Sequence, residues 1–202
     1  MSFYFDNAAT TFPKPQQVYD FMDSFYKTCG GNAGRGQYKQ AAQSTRLISE
    51  TREGIQKLLQ CPNKDVIFTP SATIALNMVI QGIIENEDIH TVCISPFEHN
   101  AVTRILEHYK DRVKVEVLPI KDDLTYSLSD IERLIDDVKP ELVILSHGSN
   151  VCGIITPVEE ICSYAKKNKA FTVLDMAQTA GLVPLNTGNN NIDFAIFEGH
   201  KT

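Results

Sequence analysis

The sequence predicts an α/β fold: a mostly parallel β-sheet covered by helices on both faces, in three layers. Short apolar, β-branched runs alternate with longer stretches whose apolar residues recur at helical spacing. Polar, glycine-containing loops follow the runs, and in α/β proteins functional groups gather beyond the carboxyl ends of the strands. With 202 residues, 43% hydrophobic and 22% charged, the chain can bury one sizeable core.

The first fifteen residues are short and apolar to Phe5, then non-helical through DNAATTFPKP, with prolines at 13 and 15. The small residues there allow close backbone approach to a ligand, or form an ordered turn and nothing more. Val18, Phe21, Met22 and Phe25 predict a helix over 16–28. The glycine-rich stretch 30–36 is a loop; no strand precedes it, and its spacing is not that of a dinucleotide fingerprint. Ala41, Leu47, Ile55, Leu58 and Leu59 predict a long helix over 40–59. The alternation starts here. Strands are predicted over 65–69, 91–95, 113–119, 142–146, 171–174 and 194–197. Helices are predicted between them over 74–84, 100–108, from Ser129 to about 138, and over 157–168. Ser129 and Glu132 have the spacing of a capping box.

Composition excludes several classes of function. A net charge of -6 without a basic block disfavours a nucleic-acid or anionic-membrane partner. No apolar run approaches the ~20 residues that span a bilayer. The N-terminus shows no basic region followed by a hydrophobic core, so no secretory signal is expected. The cysteines at 29, 61, 93, 152 and 162 are odd in number and lack CxxC spacing, which predicts reduced thiols and a cytoplasmic location.

The candidate site residues lie at strand exits. Asp175 ends one apolar run, with Gln178 three residues on, and Gly199, His200 and Lys201 follow another. An acid and a lysine so placed can share a crevice. A pocketed lysine can form a Schiff base with an aldehyde. The aldehyde cofactor pyridoxal phosphate also needs a carboxylate beside its ring nitrogen. The plainer alternatives are a capping Asp175 and a solvated Lys201. Ser71, Ala72 and Thr73 open a helix whose free amides suit a phosphate, or they merely cap it. His99 offers a general base or a flat stacking surface. As no second His or Cys stands at ligand spacing, no metal site is predicted. Asn150 sits in a glycine-flanked loop, and His147 equally fits a satisfied core histidine. A Ser-His-Asp order, a GxSxG elbow and a P-loop are all missing from the sequence.

Six stretches in order, DNAATTFPKP (6–15), PSATIALN (70–77), SPFEHNA (95–101), SHGSNVCG (146–153), LDMAQTAG (174–181) and FEGHK (197–201), resemble the class V aminotransferase family of fold-type I pyridoxal-phosphate enzymes. The resemblance runs the length of the chain and is strongest to the cysteine desulfurase and selenocysteine lyase branch. It implies that Lys201 bonds the cofactor aldehyde, Asp175 pairs with the ring nitrogen and Gln178 bonds the phenolic oxygen. It further implies that His99 stacks on the ring and assists proton transfer, while Ala72, Thr73 and His200 hold the phosphate. Asn150 borders both cofactor and substrate, and Asn7, Ala8 and Ala9 border the substrate. The implied activity is removal of sulfur from L-cysteine to give alanine and a persulfide. Class V aminotransferase, selenocysteine lyase and an inactive fragment are the alternatives. The implied partners are an amino-acid substrate, a sulfur-acceptor protein and, at full length, a second copy of the chain.

The sequence also departs from the family pattern. Ser71 stands where a small residue is usual, Gln37 and Tyr38 stand where a histidine is common, and Glu198 stands where serine is common. An acid near a phosphate is repelled, so Glu198 is expected to face away from the site. Relatives continue past the lysine through a further strand, a second domain, the persulfide cysteine and a carboxylate-binding arginine. None of the five cysteines here matches that position. The expectation is a large cofactor-binding domain over 16–202, truncated after its lysine, with 1–15 belonging to a small domain. Residues 1–202 by themselves are expected not to desulfurate cysteine.

Overall fold

β3 (Leu142–Ser146) lies at the centre of the molecule, and all five of its residues are buried. A strand buried on both faces reads as a continuous apolar run, as LVIL does. The computed structural model describes residues 3–189 and 191–201; Met1, Ser2, Asn190 and Thr202, within the stretches 1–15 and 16–202 named above, lie outside the described residues. Flanking β3 are β1 (Thr91–Ile94), β2 (Lys114–Val117), β4 (Phe171–Asp175) and β5 (Phe194–Ile196), in the order β2-β1-β3-β4-β5. Every pairing is parallel.

The pleat sends alternate residues to opposite faces. Leu142, Ile144 and Val173 pack with α3 (Ala72–Asn86) and α4 (Asn100–His108) around Leu76, Ile80, Ile84, Val102 and Leu106. Val143, Leu145 and Leu174 face α5 (Leu128–Val138) and α6 (Val158–Lys167) around Ile131, Ile135, Ile161 and Cys162. These are the three predicted layers. The chain leaves β1 toward β2 on one side and returns to β3 on the other. A crevice therefore opens beyond the carboxyl ends of β1 and β3, at the topological switch point.

α1 (Gln16–Thr28) buries no residue, and α2 (Lys39–Leu58) buries Ala41 and Ser44 along its length. Where α2 ends, Ile55 and Leu59 join the α5/α6 core.

Three local expectations are corrected. Residues 65–69 join no ladder among the described residues, and Ile67 and Phe68 are 77% and 51% exposed. β-propensity expresses itself only against a neighbouring strand; here Arg52 donates to the Val66 carbonyl at 3.0 Å and lies over the Phe68 ring instead. α5 is capped two residues earlier than predicted, at Ser127, with no side-chain cap bond. The Ser127 and Ser129 hydroxyls bond each other at 3.2 Å, which takes Ser129 out of the capping-box role. α3 begins two residues before the predicted 74, with Ser71 as N-cap accepting from the Ile74 amide at 3.2 Å.

β5 contributes three residues and is held by more than its ladder. Asp193, immediately before it, accepts from the Thr172 amide at 2.8 Å and from Lys166 Nζ at 2.8 Å, tying β5 to β4 and α6. Removing one partner of such a half-buried, charge-assisted cluster leaves the others unpaired. Asp193→Ala should cost about 2–3 kcal/mol, read as a lower urea midpoint with an unchanged slope.

Candidate functional site

Four strand exits and one helix N-terminus meet at the crevice. At the exit of β1, Ser95 donates to Glu98 Oε1 at 2.5 Å, and the Ser146 amide donates to the same oxygen at 2.6 Å. Glu98 thus bridges the exits of β1 and β3. Its Oε2 is buried without a partner among the described residues. Burial pushes this carboxyl up to about 8, opposed by the Ser95 and Ser146 bonds and reinforced by the charge of Asp175. The next residue, His99, caps α4, its Nδ1 accepting from the Ala101 amide at 3.1 Å. With Nδ1 occupied as an acceptor, the neutral ring carries its proton on Nε2.

At the exit of β3, His147 is buried and paired with the Thr179 hydroxyl at 2.8 Å, the satisfied-histidine alternative. Burial lowers its basicity. Gly148 leaves room that no larger residue would: an added Cβ would stand 2.6 Å from Thr179 Cγ2. The Ser149 hydroxyl accepts from the amides of Val151 and Cys152, turning the loop that presents Asn150.

β4 ends in Asp175, 6% exposed, whose Oδ1 accepts from the Ala177 amide at 2.9 Å. Burial raises this carboxyl above its usual range, while the Ala177 bond and the charges of His99 and Lys201 pull it down and Glu198 pushes it up. Gln178, on the following turn, donates to the Ala8 carbonyl at 2.9 Å and so holds the N-terminal turn against the site.

The turn after β5 carries Glu198, His200 and Lys201. Thr11 donates through its hydroxyl to the Lys201 carbonyl at 2.8 Å and through its amide to the His200 carbonyl at 3.2 Å. Lys14 Nζ reaches the same His200 carbonyl at 2.9 Å. The lysine turn is therefore clamped by residues nearly two hundred positions earlier.

Glu198 does not face away. Its Oε1 accepts from the Ala72 amide, at the N-terminus of α3, at 2.7 Å. The positive end of a 15-residue helix and an unsatisfied first-turn amide outweigh the expected repulsion, because the anion found there is Glu198 itself.

Most of the expected site residues converge. Ala72, Thr73, His99, Asn150, Asp175, Gln178 and Lys201 line one cleft, together with Ser146, Gly148 and Glu198. An adjoining cleft shares Asn150, Gln178 and Lys201 and adds Asn7, Ala8 and Thr11. His200 and Ala9 line neither. His200 turns its Nδ1 to the Thr10 hydroxyl at 3.0 Å, and the Ala9 amide closes a turn onto Asp6. Sequence reasoning passed over Glu98, Ser146 and Thr11. The Glu98 signal was an acid beside an apolar strand end; residue type alone does not tell a buried acid from a solvated one.

The parallel α/β sheet brings a lysine, a buried carboxylate and a histidine to one cleft at the carboxyl edge of its strands, the place where α/β proteins hold small ligands. Residues 3–202 match the aminotransferase class-V family, and the chain belongs to that family. A probable cysteine desulfurase of Pyrococcus abyssi is 30% identical over 98% of this chain and 49% of its own length. Cysteine desulfurase IscS of Rickettsia prowazekii is 29% identical over 98% of this chain and 48% of its own. The apo structure of a cysteine desulfurase from Thermococcus onnurineus NA1 superposes with a TM-score of 0.89 at 30% identity, covering 98% of this chain and 49% of that one. The chain spans about half the length of these relatives.

Glu98 supplies a test through linkage. Its folded pKa of about 8 lies above the ordinary 4.5, so the folded protein binds the proton more tightly than the unfolded chain. The stability it contributes is present below the unfolded value and is lost as pH rises through the folded one. Between about pH 4.5 and 8 the wild type should lose stability relative to Glu98→Gln, which stays neutral throughout. Urea midpoints across that window should show the two slopes diverging, by on the order of a few kcal/mol in all. Parallel slopes would mean that Glu98 is already ionised in the fold.

Proposed function

We propose that this chain is the cofactor-binding part of a pyridoxal-phosphate-dependent, cysteine desulfurase-like enzyme. The observation that carries the reading is that Lys201 and Asp175, from adjacent strand exits, line one cleft. In the active protein, L-cysteine would yield alanine and a persulfide, the sulfur then passing to an acceptor protein.

The residues present suit the ring end of that cofactor. Asp175 is a buried carboxylate raised by desolvation, and a cationic ring nitrogen beside it would restore the anion. Bound there, pyridoxal phosphate would supply an electron sink for the substrate carbanion. Lys201 would hold the aldehyde carbon, its backbone kept in place by Thr11. Gln178 would bond the phenolic oxygen, and its bond to Ala8 orders the Asn7, Ala8 and Ala9 turn that borders the substrate. His99, with Nδ1 held by Ala101, would present a flat face to the ring and a proton at Nε2. Ala72 and Thr73 would face the phosphate at the start of α3. His200, outside the cleft, supports the lysine turn instead.

Residues 16–202 form the large domain in this reading, and 1–15 serve a smaller one. A homodimer is part of this reading. The chain exposes 12314 Å², against about 9,500 Å² for a compact monomer of its mass. Phe21, Met22 and Tyr26 on α1 are all more than half exposed, apolar surface that a second copy, or the rest of the length the relatives have, would cover. The five unpaired cysteines support a cytoplasmic location, and no helix among the described residues is long and apolar enough to cross a membrane.

Adding pyridoxal phosphate to the chain should produce a visible absorption band that Lys201→Ala abolishes. A band of equal strength in the variant would remove Lys201 from its role. Asp175→Asn should keep the Lys201-dependent band but lower the pH at which the bound ring loses its proton, because an amide does not stabilise the cation as a carboxylate does. Identical titrations of variant and wild type would leave Asp175 a backbone cap.

A further inference from the structure

We propose that Glu198 is a built-in anion at the phosphate end of the cleft, one that a phosphorylated ligand must displace. The side chain would then set how strongly the protein prefers phosphorylated over unphosphorylated ligands. This rests on the proposed cofactor reading for the identity of the ligand, but not for the competition itself.

Three observations carry it. The Ala72 amide, the first of α3, donates to Glu198 Oε1 at 2.7 Å, while the Ser71 hydroxyl takes the Ile74 amide at 3.2 Å. The Thr73 amide between them has no partner among the described residues, so this helix end still has a donor to offer. Second, the carboxylate is sheltered, its side chain only 18% exposed, with Oε2 3.4 Å from His200 Nε2. Third, Glu198 lines the cleft beside Thr73 and Lys201. A ligand whose aldehyde reaches Lys201 and whose phosphate reaches α3 meets this carboxylate.

Two anions competing for the same donors have a defined consequence. The phosphate must break the Ala72–Glu198 bond and move the carboxylate aside, or suffer repulsion from a like charge at close range. A ligand with the same aldehyde and no phosphate leaves the bond intact. If Glu198 were only a helix cap, replacing it would change stability and leave ligand preference alone. The preference is therefore the readout that separates the two roles.

The experiment compares wild type, Glu198→Gln and Glu198→Ser. Gln removes the charge at nearly constant shape; Ser clears the side chain from the helix end. Pyridoxal phosphate and pyridoxal are titrated against each protein by absorption. In a separate arm without aldehyde, inorganic phosphate is added and the thermal midpoint measured. Both variants should bind pyridoxal phosphate about tenfold to a hundredfold more tightly than wild type, the range of a charge-assisted hydrogen bond. Their affinity for pyridoxal should stay within about twofold, and phosphate should raise the midpoint of Glu198→Ser more than that of wild type. Unchanged or weaker binding of pyridoxal phosphate by both variants would overturn the proposal, as would equal gains for the two aldehydes. If no protein binds either aldehyde through Lys201, the cofactor reading fails separately, and the phosphate arm decides. A larger shift for Glu198→Ser upholds the competition; equal shifts overturn it.

Discussion

The functional end of this molecule depends on the parallel register of its central strands. Ser146 pairs with Asp175, and Asp175 with Ile196. Side chains alternate across a sheet, so a slip of one residue would turn Asp175 from the crevice into the opposite core. The register is secured by the burial of Leu142 through Leu145 and of Val173 and Leu174 on both faces, where neither face can be given up to water. Bonds just past the strand ends extend the order into the loops: the His147 amide to the Asp175 carbonyl, and the Met176 amide to the Ile196 carbonyl.

That rigid edge carries an unusual load of acid. Asp175 and Glu198 line a cleft with Lys201, Glu98 bridges the strand exits beside Asp175, and each acid is accommodated differently. Glu98 has its carboxyl pushed up by burial, which favours the neutral form, and its Oε1 braces the exits of β1 and β3 by accepting from Ser95 and Ser146. Asp175 is buried, its charge opposed by that burial and favoured by the Ala177 amide and by nearby His99 and Lys201. Glu198 is satisfied by the dipole and first amide of α3. The arrangement favours a cationic group near Asp175, while the anion-favouring end of α3 already holds Glu198.

The site also depends on parts of the chain far apart in sequence. Thr11 and Lys14 hold the carbonyls of His200 and Lys201, and Gln178 holds Ala8. The N-terminal turn and the lysine turn order one another. Each is short and has few buried side chains, so neither would keep its shape alone.

The sequence by itself determined the layered α/β class, helices α1 and α4 and strand β3 at their observed limits, and the meeting of Asp175 with Lys201. Those features follow from periodicity and from the rule that strand ends carry function, and both are local signals. It misread 65–69, whose β-branched run is real but has no neighbour to pair with, and Ser129, whose capping spacing was overtaken by a bond to Ser127. Only the tertiary structure decided which acids are buried, which donor each one meets, and that Glu198 turns toward the cleft. A carboxylate's behaviour is set by the groups folded against it, and for Glu198 the deciding donor, the Ala72 amide, lies 126 residues away.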